Sequence, residues 1–88
     1  MNNLKSLDQF KELIDIGYEI NFALNGKGWL IEPDQNATEF SKRRVIVSTE
    51  PNNYDFIKKF KNTAELLDYR LNGKAIKDQW KNITNIEY

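Results

Sequence analysis

Leu7, Phe10, Leu13 and Ile14 recur at helical spacing, with Lys11, Glu12 and Asp15 between them, so one face of the segment is apolar and the other charged. Ser6-Leu7-Asp8-Gln9 opens the stripe as a capping box, in which the serine hydroxyl accepts from the Gln9 amide. Gly17 closes it, because glycine tolerates the left-handed backbone just past a helix end. The spacing predicts a helix over 6–16. The period then falls to 2: Tyr18, Ile20, Phe22 and Leu24 alternate with Glu19, Asn21 and Ala23, as in a strand with one buried face. Asn25-Gly26 supplies the two positive-φ positions of a type I′ turn, so Leu24 pairs with Lys27. Counting outward sets Phe22 opposite Trp29 and Ile20 opposite Ile31, with the bulky residues of both strands on one face.

Pro33 ends the second strand, since it has no donor for the ladder, and residues 34–42 are mainly polar, with Phe40 the only large apolar residue. RRVIVSTE, residues 43–50, predicts a third strand with Val45 and Val47 inward, and Pro51-Asn52-Asn53 a turn. In YDFIKKFK, residues 54–61, Phe56, Lys58 and Phe60 alternate as in a strand, while Phe56, Ile57 and Phe60 also fit a helical face. An edge strand at 55–60, guarded by lysines, is the preferred reading. Asn62-Thr63-Ala64-Glu65 is a second capping pattern and predicts a short helix over 63–70 that buries Leu66 and Leu67. The tetrapeptide Leu-Asn-Gly-Lys occurs at 24–27 and again at 71–74. The second copy lies between helical patterns, so Gly73 is read as closing a helix, with Ile76, Trp80 and Ile83 striping a terminal one.

These elements predict a single α+β domain over 1–88: an N-terminal helix, a three- to four-stranded antiparallel β-meander, and two short C-terminal helices packed on one sheet face. The expected core gathers Leu7, Phe10, Leu13, Ile14, Ile20, Phe22, Trp29, Ile31, Val45, Val47, Leu66, Leu67, Ile76 and Trp80.

Composition narrows the chemistry. No apolar run approaches membrane-spanning length, and the first residues lack the basic and apolar regions of a signal peptide, so a cytoplasmic protein is expected. The chain has no cysteine and no histidine, which removes thiolate chemistry, the commonest general base and the commonest metal ligand. Neither Gly26-Lys27 nor Gly73-Lys74 has the upstream glycine and following hydroxyl of a phosphate-binding loop. Glu19 and Glu32 face each other across the derived hairpin, where they read as a solvated, mutually repelling pair rather than an acid/base dyad. No enzyme activity, cofactor or metal is expected.

Charge is balanced overall but uneven along the chain. Residues 1–41 carry three lysines against seven acids, and residues 42–88 carry ten lysines or arginines against six acids. This describes either a polarised surface or two halves that interleave in the fold. Basic clusters at Lys42-Arg43-Arg44 and Lys58-Lys59-Lys61 lie near Tyr54, Phe56 and Phe60, the mixture of charge and rings that single-strand binders use. Zero net charge and a pI near 6.2 are atypical of that class. Exposed aromatics are expected at Phe40, Tyr54, Tyr69 and Tyr88, and such rings anchor protein interfaces.

F-K-E-L-I-D-x-G-x-E-I-x-F-x-x-N-G-K, from Phe10 to Lys27, and E-L-L-D followed by N-G-K-x-I-x-x-x-W, from Glu65 to Trp80, carry a resemblance. The chain resembles small uncharacterised proteins of Gram-positive bacteria and their mobile elements. The resemblance implies a helix, a β-meander and terminal helices in a small cytoplasmic protein, and brings no activity, ligand or catalytic residue. The expected function is a non-enzymatic accessory or modulator that binds another protein, as a monomer or weak homodimer with no membrane partner. Its expected surface is Phe40, Arg43, Arg44, Tyr54, Lys58 and Lys59. The alternative is a single-stranded nucleic-acid binder using residues 42–44 and 54–61.

Overall fold

The computed structural model of the chain describes residues 3–36, 42–53 and 55–88. Helix α1 spans Leu7–Ile16. The Ser6 hydroxyl accepts from the Gln9 N–H at 3.0 Å, and the Gln9 side chain reaches back to accept from the Lys5 N–H at 2.6 Å. Gly17 takes φ 99°, and its N–H closes the helix on the carbonyls of Ile14 and Leu13. Strands β1 (Ile20–Leu24) and β2 (Lys27–Pro33) form the expected hairpin, with Leu24 against Lys27, Phe22 against Trp29 and Ile20 against Ile31. At the turn, Asn25 has φ 56° and Gly26 φ 77°.

Strands β3 (Arg44–Ser48) and β4 (Ile57–Phe60) extend the meander. Helix α2 (Thr63–Asp68) is capped by the Asn62 side chain, which accepts from the Glu65 N–H at 2.9 Å. The chain then forms a small hairpin of β5 (Arg70–Leu71) and β6 (Lys74–Ala75), two 3-10 turns at Ile76–Asp78 and Trp80–Asn82, and strand β7 (Ile83–Glu87). Strand β7 returns to pair with β1, so among the described residues the main sheet has five antiparallel strands in the order β4-β3-β2-β1-β7. No helix among the described residues is long and apolar enough to cross a membrane.

The C-terminal third differs from the sequence expectation. Only α2 of the two short C-terminal helices forms; the second is replaced by the 3-10 turns and β7. Ile83 and Ile86 are both buried although three residues apart, a helical spacing, because the β1–β7 register shifts at a bulge where Asn85 takes φ 53°. A bulge resets the alternation of a strand and so imitates the period of a helix. The second Leu-Asn-Gly-Lys is likewise a hairpin turn: Asn72 and Gly73 take φ 56° and 86°, and Leu71 pairs with Lys74 as Leu24 does with Lys27. The twin turns meet at the buried Gln79. Its amide nitrogen donates to the Leu71 and Lys74 carbonyls at 2.8 and 2.9 Å, and its oxygen accepts from Asn25 Nδ2 at 3.3 Å.

Strand β3 has the opposite phase to that expected. Ser48 lies against Trp29 and Ile46 against Ile31, so Ile46 faces the helices while Val45 and Val47 point to the other side of the sheet, where Val45 is nonetheless buried, as expected, and Val47 half-buried. The alternation could not choose between the phases, because Val45, Ile46 and Val47 are all apolar and no tight turn transfers the register from β2.

One contiguous core joins Phe10, Leu13 and Ile14 of α1 and Leu66 and Leu67 of α2 to the inner face of the sheet. Phe10 meets Phe22 edge to face with ring centres 5.9 Å apart, a geometry that contributes roughly 0.5–1.5 kcal/mol beyond burial. Leu24, Ile46, Phe60, Leu71, Ile83 and Ile86 join this core, whereas Leu7 and Trp80 are only half-buried against it.

Candidate interaction surface

The expected surface residues separate in three dimensions. Arg43, Lys58 and Lys59 are exposed, but Arg44 is only 5 % exposed. The Arg44 guanidinium docks at the end of α1: Nε donates to the Ile14 carbonyl at 2.9 Å, Nη2 to that of Asp15 at 3.2 Å, and Nη1 to that of Arg43 at 2.8 Å. A cation there gives the Ile14 carbonyl, which already accepts from the Gly17 N–H, a second donor, adds one to the Asp15 carbonyl, and opposes the negative end of the helix dipole. Arg44 is therefore a structural clamp and not part of an exposed interaction surface. Phe40 and Tyr54 lie outside the described residues.

The rings beside the lysines turn inward. Phe56 packs edge to face on Trp29 at 5.3 Å, and Phe60 lies 5.4 Å from Tyr69 and is buried. Lys58 and Lys59 project to opposite faces of β4, because Lys58 sits against the inward Ile46 and Lys59 against the outward Val45. The basic residues thus line the rim of the sheet rather than forming one flat patch with the aromatics.

The outer face of the sheet carries a feature that the candidate residues miss. Leu30, Val47 and Ile57 are direct cross-strand neighbours on β2, β3 and β4, so they form one apolar row that runs to the β4 edge. Ile57, at the end of the row, is 52 % exposed. Val45 and Ile57 also line a shallow cavity of about 160 Å³ with Glu32, Asp34 and Lys59 on its walls. Burial pushes the Glu32 carboxyl above the usual carboxylate range, and the Glu19 charge adds to the effect. A signal for this face exists in the sequence: Trp29-Leu30-Ile31 and Val45-Ile46-Val47 are unbroken apolar runs, as strands apolar on both faces require.

A second cavity, of about 390 Å³, opens between α1 and the start of α2, with Lys11, Asp15, Lys42, Asn62, Thr63 and Leu67 among its walls. The Asp15 carboxylate in it accepts from the Thr63 hydroxyl. Just before β1 and just after β7, Tyr18 and Tyr88, both exposed, meet in a tilted arrangement with ring centres 5.5 Å apart. Among the described residues no group of three or more acidic side chains is placed to hold a metal ion. No protein-family profile, curated protein or solved structure matches the chain.

Proposed function

We propose that the chain is a non-enzymatic accessory that binds another protein through the outer face of its sheet, from β2 to the β4 edge. The observation that carries this reading is the apolar row Leu30–Val47–Ile57, which ends in an isoleucine half in solvent at the rim. An isolated exposed apolar residue is ordinary, whereas a contiguous row rimmed by charge is typical of a docking face. Glu32 and Lys59 supply that rim. The resemblance to small proteins of mobile elements suits a modulator that acts by occupying a host protein's surface.

The single-stranded nucleic-acid reading retains the exposed Arg43, Lys58 and Lys59, but Arg44 is engaged at α1, the half-buried Phe56 packs edge to face on Trp29, and Phe60 is buried against Tyr69. Base stacking on exposed rings supplies much of the affinity of such binders, so this placement weighs against it. The test places a photo-crosslinker at Ile57 and, as a control, at the exposed Asp68 on α2, in a Gram-positive lysate. The proposal expects one protein captured from position 57 alone and competed away by unlabelled wild type. Equal labelling from both positions, or none from 57, would overturn it.

A further inference from the structure

Strand β4 lies at one end of the sheet, and among the described residues its strand neighbour is β3 alone. The Phe56 carbonyl accepts from the Ser48 N–H, so residue 56 faces β3 with its polar backbone groups. In an antiparallel ladder those groups alternate in direction, hence Ile57 and Lys59 turn their N–H and C=O away from β3, where no strand pairs with them among the described residues. Such a row of backbone groups is a template for one more strand.

Two properties decide which strand fits. The edge bears Lys58 on the inner side and Lys59 on the outer side, with Lys61 exposed just beyond. A second copy paired through β4 would set lysine against lysine, whereas glutamates or aspartates at the apposed positions would be attracted. Meanwhile Ile57 ends the apolar row and offers an incoming side chain an apolar neighbour on the outer face. Lysines placed solely to blunt an edge would leave that isoleucine without purpose.

We infer that the edge of β4 that is unpaired among the described residues takes up an extended acidic segment of the partner protein as a further strand, with an apolar residue apposed to Ile57 and acidic residues apposed to Lys58 and Lys59. This inference rests on the protein-binding reading and specifies the partner's chemistry. Main-chain hydrogen bonds to Ile57 and Lys59 would supply affinity, and the lysines would select against neutral and basic strands.

The probe is a capped synthetic octapeptide with apolar-Glu-Glu-apolar at its centre. Two controls accompany it, one with lysine in place of glutamate and one N-methylated at alternate residues. Amide hydrogen exchange by NMR on the full chain should slow at Ile57 and Lys59 and stay unchanged at Lys58 and Phe60. The Lys58→Glu/Lys59→Glu double variant, checked for fold by circular dichroism, should weaken binding of the acidic peptide about tenfold or more and bind the lysine peptide instead. Exchange unchanged at Ile57 and Lys59 with peptide bound, or equal binding of the N-methylated peptide, overturns the edge proposal. If crosslinking from Ile57 still captures its partner after the double charge reversal, the edge proposal falls and the protein-binding reading stands. If an oligodeoxythymidylate binds through Lys58 and Lys59 while no peptide binds and position 57 captures no protein, both fall.

Discussion

Arg44 ties the end of α1 to the start of β3 by donating to two carbonyls of the helix terminus from a nearly dry position. Hydrogen bonds from a charged donor each contribute about 1.5–3 kcal/mol, and after loss of the guanidinium the Ile14 carbonyl would keep only the Gly17 N–H. Arg44→Met should therefore lower unfolding stability by about 2–4 kcal/mol, read from the urea midpoint; an unchanged midpoint would rule out the clamp. Glu32 acts in the opposite sense. Its folded-state pKa is raised by burial and by Glu19, so the folded protein holds this proton more tightly than the unfolded chain. Stability from this group is then present at acid pH and lost as pH rises through the interval between the unfolded and folded values. Glu32→Gln should raise the melting temperature near pH 7 and have a much smaller effect near about pH 4, where the unfolded-state carboxyl is itself largely protonated. A gain that is the same at both pH values would contradict the assigned cause.

At the scale of elements, the two Leu-Asn-Gly-Lys turns show how local chemistry and context divide the work. Both asparagines take φ 56° and both glycines follow with positive φ, so the same four letters make the same hairpin turn twice. The helical patterns on either side of residues 71–74 pointed elsewhere, yet the Asn-Gly pair was the stronger signal. A glycine closing a helix would leave Asn72 free to vary, whereas a type I′ turn does not. Asn72→Val should thus cost about 1–2 kcal/mol through its forced left-handed backbone, measured by urea unfolding. A cost confined to Gly73→Val would restore the helix-closing reading. Strand β7 was hidden because Ile76, Trp80 and Ile83 fall at helical spacing, and the bulge, which buries both Ile83 and Ile86, erases the alternation that would have marked a strand. By contrast, the β1–β2 hairpin was legible to the residue pair, because a two-residue turn transmits register without slack.

Across the whole molecule, the radius of gyration of 12.0 Å equals the compact value of about 12 Å for a chain of this length. The sheet order sets β1 and β2, from the acidic part of the chain, between β3–β4 on one side and β7 on the other. The two halves therefore interleave in the sheet, and the contrast of charge along the sequence is not simply inherited by two sides of the protein. Local concentration of positive charge survives at the β4 rim. If those lysines also keep the edge from pairing with its own copy, Lys58→Thr/Lys59→Val should self-associate in sedimentation velocity while the wild type stays monomeric at the same concentration. Dimerisation of both to the same extent would show that the edge is protected in another way.

Within this chain, the sequence by itself determined the elements whose information is short-range: the capped helix α1, the β1–β2 register, the cap of α2 and the inward faces of Phe10, Phe22 and Trp29. Each rests on groups a few residues apart, where side-chain caps and turn angles act without reference to the rest of the fold. Tertiary structure alone decided the phase of β3, the return of β7 to β1 and the burial of Arg44. In the first, an unbroken apolar run fits either face of a sheet; in the second, a bulge alters the period; in the third, the carbonyls that hold the guanidinium lie some thirty residues away in sequence. The candidate surface belongs to the same group, because Leu30, Val47 and Ile57 become one row only when three strands are set side by side.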